Sequence, residues 1–299
     1  MKIPFYTIDA FARVPFEGNP AAVCLLDPEH DLSEVQMQSI AAEINLSETV
    51  FLRYKEKNVG SFSNGNQFHI RWFTPTNEVD LCGHATLATA AVLFNELGNP
   101  STSVTFDSLS GDLVVSKDES GFVMNFPLNE TVSQDKTDYI QLLELISSLD
   151  DVETVEFSPH TKKLLVRLAD NITRKHLESL KPDTARMMAA EVTGKVKGVI
   201  VTLRESHENG TTSTEGELYD FVSRYFAPWN GIPEDPVTVP KMKEKQCMCI
   251  YTCKQDQLTQ FLPTTGGRFW TKKNCLVRIF SFKCWVHNCF KIDLFWILF

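Results

Sequence analysis

The stretch Gly83-His84-Ala85-Thr86-Leu87-Ala88-Thr89-Ala90-Ala91-Val92-Leu93-Phe94-Asn95-Glu96-Leu97-Gly98 decides the fold. From Ala85 onward it is apolar or small nearly all the way round. A helix with no polar face in its first turns must be buried on most sides. Gly98 ends it. The segments upstream read as strands around it. Residues 3–9 alternate apolar and polar, Gly18-Asn19-Pro20 is turn chemistry, and 21–26 form a second strand. Asp31-Leu32-Ser33-Glu34 is a capping-box pattern that opens an amphipathic helix to about Ile44. Residues 49–53 read as a strand, Asn64-Gly65 as a hairpin signal, and 68–73 as the return strand. Short strands follow at 104–106, 113–116 and 123–126. Strands enclosing a buried helix make an α+β unit.

The pattern starts again near Asp135. A helix is expected through Leu149, strands at 152–157 and 164–168, and a helix from Asn171. A strand at 198–203, a polar loop at 206–216 and a strand at 218–226 complete the run. One echo ties the halves together. Arg71-Trp72-Phe73-Thr74-Pro75-Thr76-Asn77 matches Arg224-Tyr225-Phe226-Ala227-Pro228-Trp229-Asn230 as Arg-aromatic-Phe-x-Pro-x-Asn, 153 residues on. Acidic residues follow each copy: Glu78 and Asp80 in one, Glu234 and Asp235 in the other. Two halves of this size suit a duplicated fold.

The repeat predicts a second small-residue helix after Thr238. The sequence there reads Val239-Pro240-Lys241-Met242-Lys243-Glu244-Lys245, polar and cationic, with no buried face. Composition changes at the same place. Residues 1–238 hold only Cys24 and Cys82, whereas the last 61 residues hold Cys247, Cys249, Cys253, Cys275, Cys284 and Cys289. That tail also carries ten Lys/Arg against three Asp/Glu. Its Cys-x-Cys-x3-Cys and Cys-x2-His-x-Cys spacings lack the paired Cys-x2-Cys of common structural zinc sites, so no metal is expected. The tail reads as sequence from a different reading of the transcript, an alternative splice product or a gene-model product.

The chain has 299 residues, a net charge of -9 and a pI near 5.3. Acidity on this scale argues against a nucleic-acid partner. No run of 18 uncharged apolar residues points to a membrane span, and the N-terminus lacks the apolar core of a signal peptide. A cytoplasmic location is expected. The Asn45, Asn129, Asn171 and Asn209 sequons are then coincidental.

Several ordered segments resemble the PhzF-like, or phenazine-biosynthesis-like domain, family. They are Asp9-Ala10-Phe11, Gly18-Asn19-Pro20-Ala21-Ala22-Val23, Asn45-Leu46-Ser47-Glu48-Thr49, Phe73-Thr74-Pro75, Cys82-Gly83-His84-Ala85-Thr86 and the run from Arg224 through Glu234-Asp235-Pro236-Val237-Thr238. The resemblance covers residues 1–238. It implies a diaminopimelate-epimerase-like α+β fold of two similar domains, each with strands wrapped around a central helix, and a site in the cleft between them. The halves are placed at 1–117 and 118–238, the second incomplete, and 239–299 is a divergent basic tail expected to be poorly ordered. The family pattern continues after Thr238 with a Gly-Ser helix start that this chain lacks. The resemblance further implies cofactor-free, metal-free isomerase chemistry on a small-molecule substrate bearing a carboxylate. A homodimer is a family-level expectation.

By the same resemblance the catalytic residues are Glu48, His84 and Asp235, and the substrate-binding residues are Asn19, Ser47 and Gly83. A buried carboxylate such as Glu48 can take and return a proton in one site; its alternative is a solvated or capping glutamate. Gly83 and His84 open a helix, whose N-terminus suits an anionic group; a packing histidine is the alternative. Asp235 could set a second carboxylate opposite Glu48. Asn19 could equally stabilise its turn. Cys82 reads as a buried structural thiol. A non-catalytic interaction or regulatory protein that keeps the family fold and binds a protein partner is the alternative to an isomerase.

Overall fold

The computed structural model describes residues 2–12, 18–29, 31–55, 61–118, 121–127, 130–204, 208–209, 221–235, 274–280 and 285–293. The chain divides into two units: residues 1–126 with 275–299, and residues 127–274. The first boundary falls between Phe126 and Pro127 rather than at 117/118. The reason is a hairpin, described below, that holds the strand after residue 120 in the first sheet.

The first unit is built on β1 (Lys2–Ala10), β2 (Asn19–Leu26), α1 (Glu34–Ile44), β3 (Glu48–Tyr54), β4 (Gln67–Phe73) and β5 (Glu78–Val79). The helix α2 (Gly83–Ala91) follows, then β6 (Ser103–Ser108), β7 (Gly111–Asp118) and β8 (Gly121–Pro127). β1 and β2 pair antiparallel, β2 and β3 parallel, and β3 and β4 antiparallel. The parallel step needs a crossover, which α1 supplies. β7 and β8 pair antiparallel from Val115↔Met124 to Asp118↔Gly121, which keeps β8 in this sheet. β2 must start where it does because of Gly18. Its φ is +95°, and a Cβ there would lie 2.2 Å from the Ala10 carbonyl oxygen. Asn19 is therefore the first residue of a strand, not the middle of a turn.

The helix named by the sequence is present and fully enclosed. Every residue from Gly83 to Ala91 is buried, and α2 packs against β1, β2 and β3. Its two threonines remain compatible with burial because each hydroxyl donates to a carbonyl one turn back, Thr86 to Cys82 at 2.6 Å and Thr89 to Ala85 at 2.8 Å. The final turn, Val92–Glu96, widens into a π-helix. On the other face of the sheet, α1 buries Met37, Ile40 and Ala41 against Cys24, Leu26, Phe51 and Phe73. Its capping box closes between Ser33 and Gln36, not between Asp31 and Glu34.

The second unit repeats this order. After β9 (Val132–Gln134) and α3 (Ile140–Leu143) come β10 (Val152–Ser158), β11 (Lys163–Leu168), α4 (Arg174–Ser179), α5 (Thr184–Ala190), β12 (Gly198–Arg204), β13 (Phe221–Ala227) and β14 (Ile232–Asp235). β10 and β11 pair antiparallel, β11 and β12 parallel, and β12 and β13 antiparallel, with α4 and α5 as the crossover. The expected helix at 135–149 is only a 3-10 turn plus α3, because Ser148 caps a fresh turn with its hydroxyl accepting from Asp150 N. The helix expected from Asn171 starts at Thr173, its N-cap, and ends at Ser179 with Leu180 as its C-cap, after which Asp183 caps α5. Leu142, Leu177 and Met187 pack on Val155, Val166, Val199, Val201 and Phe226 to form this unit's core.

The helix start expected after Thr238, all but two residues of the loop expected at 206–216, the first residues of the strand expected at 218–226, and residues 236–273, 281–284 and 294–299 of the tail lie outside the described residues. Beyond them, β15 (Asn274–Phe280) and β16 (Trp285–Asp293) flank the first unit's sheet, with β16 antiparallel to β1 from Lys2↔Asp293 to Asp9↔Trp285. The fold is α+β and epimerase-like. Among the described residues no helix is long and apolar enough to cross a membrane.

Candidate active site

Four side chains of the first unit converge at the start of α2. Glu48 is the first residue of β3, and Ser47 is the residue before it. Asn19 opens β2, the parallel neighbour of β3, in which Ala21 lies opposite Glu48. His84 is the second residue of α2. The sheet register and the helix start thus fix the site before any side chain chooses a rotamer. His84 Nε2 lies 3.3 Å from Glu48 Oε2 and 3.3 Å from Ser47 Oγ. The Ser47 hydroxyl donates to Asn19 Oδ1 at 3.1 Å. Asn19, Glu48 and His84 are buried, at 0%, 6% and 5% exposure.

Burial decides the protonation of the imidazole. Desolvation lowers the pKa of His84 from its ordinary value of 6.5, and the charge of Glu48 raises it by less. The ring is therefore neutral at physiological pH, with one N–H to place. A neutral imidazole beside a buried carboxylate can orient it and move a proton without itself carrying charge.

Cys82, read from the sequence as structural, belongs to this group. It is the N-cap of α2 in extended conformation, and its thiol makes no capping bond to the helix. Instead Sγ lies 3.3 Å from His84 Nδ1. The signal for this contact was the Cys-x-His spacing across a helix start, which places N-cap and first-turn side chains side by side. Glu48, Cys82 and His84 offer donor atoms all within 4.8 Å of one another, a spacing that could hold a metal ion. Yet Glu48 and Cys82 approach opposite nitrogens of one ring. The three side chains make one contiguous buried cluster centred on His84.

Of the other expected residues, Gly83 is the buried first residue of α2. Asp235 lies in the second unit at the end of β14, where Tyr225 of β13 is its strand partner. The buried Arg224 there is held by Glu234, with Nε donating to Oε1 at 2.7 Å and Nη2 to Oε2 at 2.8 Å. That ion pair explains the Glu in the Glu-Asp motif as a fold element.

A buried carboxylate, a buried imidazole and a helix start meet on an epimerase-like α+β fold. The sequence profile described as phenazine biosynthesis-like protein matches residues 8–239. The chain belongs to that family. A phenazine biosynthesis-like domain-containing protein of Rattus norvegicus is 49% identical over 238 residues, covering 80% of each chain. An uncharacterized isomerase of Pseudomonas aeruginosa is 38% identical, covering 80% of this chain and 78% of its own. The crystal structure of a PhzF-family phenazine biosynthesis protein from Enterococcus faecalis superposes with a TM-score of 0.58 at 37% identity, covering 80% of this chain and 78% of its own. The family includes bacterial members named as isomerases.

Proposed function

We propose that the protein is an isomerase that moves a proton on a small metabolite bearing a carboxylate, with Glu48 as the general acid/base. The observation that carries this reading is the buried contact of Glu48 with a neutral His84 at 3.3 Å. Out of water, the carboxylate is poised to take a proton from carbon and return it elsewhere on the same molecule. His84 stands beside the carboxylate, its Nε2 3.3 Å from Oε2. The first turn of α2, at Gly83, supplies the positive end of a helix dipole to the substrate carboxylate. Ser47 and Asn19 hold the imidazole and line the same pocket of polarity. None of these steps calls for a metal or a cofactor.

The test is a screen of small carboxylates in D2O, followed by NMR. The wild-type chain exchanges one carbon-bound proton of its substrate, and Glu48→Gln does not. Equal exchange by the two proteins removes Glu48 from the chemistry. A second reading, a non-catalytic binding protein, is favoured by one observation: the family match ends at residue 239, and a different, basic sequence follows. Under it the wild-type chain binds a carboxylate with no exchange, and Glu48→Gln binds it equally well.

A further inference from the structure

We propose that Glu48, Cys82 and His84 form an inhibitory metal site, taking one zinc-type divalent ion that occupies the acid/base carboxylate and stops proton exchange until the ion is withdrawn. The purpose of such a site rests on the isomerase reading; the site itself rests on its donor atoms. One carboxylate oxygen, one sulfur and one ring nitrogen lie within 4.8 Å of one another. Two approaches in the cluster are already close, 3.3 Å from His84 Nε2 to Glu48 Oε2 and 3.3 Å from His84 Nδ1 to Cys82 Sγ. Around a tetrahedral zinc, with bonds of about 2.0–2.3 Å, neighbouring ligand atoms stand roughly 3.3–3.6 Å apart. The ion takes one nitrogen of the ring, and closing the widest edge of the set needs a movement of roughly 1 Å.

The mix of donors selects the ion. Magnesium and calcium prefer oxygen shells, whereas sulfur, imidazole and carboxylate together suit zinc. The charges close as well. A carboxylate and a thiolate bring two negative charges to a divalent ion and the imidazole brings none, so the buried complex is neutral. Forming the sulfur–metal bond releases the thiol hydrogen to solvent as a proton, and no electron changes hands. Burial sets this group apart from chance surface clusters: Glu48, Cys82 and His84 are 6%, 6% and 5% exposed. The backbone fixes their placement, since Glu48 begins β3 and Cys82 and His84 flank Gly83, the first residue of α2. Three protein ligands leave a fourth position for water, the pattern of open rather than closed zinc sites. A carboxylate bound to a dication is a weaker base, so the loaded protein loses exchange.

The experiment is a titration of the full-length chain with Co2+ and then Zn2+, its six tail cysteines replaced by Ser so that Cys24 and Cys82 are the thiols that remain. Cys24 packs in the apolar cluster under α1 and is the internal control. The expected result is one Co2+ per chain, with a thiolate-to-cobalt charge-transfer band and tetrahedral d–d bands that Zn2+ abolishes. Cys82→Ser, which keeps a capping residue on α2, should lose the charge-transfer band, and Glu48→Gln should weaken Co2+ binding by at least about 10-fold. No such band in the parent chain, or the same band in Cys82→Ser, overturns the proposal. If the six replacements disturb the fold, the unaltered chain and its Cys82→Ser variant are compared instead, and the variant should show one thiolate fewer in its cobalt spectrum. In the D2O assay one equivalent of Zn2+ should suppress exchange and a chelator should restore it; exchange at the metal-free rate with the ion bound also overturns the proposal. Cobalt binding is read with no substrate present. A chain that binds the ion through these three residues but exchanges no carboxylate, with or without metal, therefore sinks the isomerase reading and upholds the three-ligand site.

Discussion

The hairpin that carries Arg71 and the hairpin that carries Arg224 are two versions of one device. In each, an arginine on a strand holds a glutamate on the short strand that follows: Arg71 with Glu78 at 2.6 and 2.7 Å, Arg224 with Glu234 at 2.7 and 2.8 Å. In each, the guanidinium lies over the phenylalanine two residues on, at 5.2 Å from Phe73 and 5.0 Å from Phe226. The third contact differs. Arg71 reaches Glu34 in the first turn of α1, whereas Arg224 donates to the Leu177 and Leu180 carbonyls at the end of α4. Register extends the match beyond the hairpins. Arg71 lies opposite Phe51 on β3, and Arg224 opposite Val201 on β12. Three residues before those positions stand Glu48 in one unit and Gly198 in the other. The same scaffold position carries the acid in the first unit and no side chain in the second. The two units share the frame, and the side chain at this position is what differs between them.

The comparison can be broken most forcefully at the arginines. Arg224 is the more buried, its side chain 10% exposed against 30% for Arg71. Arg224→Ala strands Glu234 and the helix-end carbonyls of Leu177, Glu178 and Leu180 and should cost about 3 kcal/mol. Arg71→Ala should cost about 1 kcal/mol, because its partners are better solvated. Urea denaturation of the two variants checks this, and equal losses would mean that the carbonyl contacts add nothing. Next is position 198. A Cβ on Gly198 would sit 2.6 Å from the ring of Tyr225, so Gly198→Ala should cost about 1 kcal/mol. Adding Tyr225→Ala should remove most of that penalty. A neutral Gly198→Ala would show that the ring swings aside freely.

The smallest effect is the titration of His84. Its folded pKa lies below the ordinary 6.5, so between those values the unfolded chain holds a proton that the folded chain refuses. The stability contributed by the neutral ring is present above pH 6.5 and declines as pH falls through 6.5 toward the folded value. Denaturation midpoints measured from about pH 7.5 down to about pH 5 should show this slope, and His84→Gln should flatten it. An unchanged slope in the variant assigns the pH dependence to other groups.

Much of this architecture is legible in the sequence, for identifiable reasons. The run from Gly83 is apolar on all sides, and no soluble arrangement exposes such a helix, so α2 and the strands that enclose it follow. The Arg-aromatic-Phe-x-Pro-x-Asn echo is visible because a buried arginine and its turn tolerate few substitutes. What is lost is short or long-range. β5 has two residues and β14 four, too few for alternation to register. The break between α4 and α5 needed Pro182 to be read against the Asn171 helix. Glu48, His84, Ser47 and Asn19 were named from their motifs, yet their meeting depends on the β2–β3 register and the start of α2. Cys82 reads as structural from the sequence because its Cys-x-His spacing becomes informative only once both residues are seen to sit at a helix start.

The central claim is that the first unit's Glu48 performs the proton transfer. The direct measurement is the initial rate of deuterium incorporation from D2O into the substrate, for the wild-type chain and for Glu48→Gln at matched stability. The account predicts a loss of at least about 100-fold in the variant. Exchange in Glu48→Gln at the wild-type rate would contradict it.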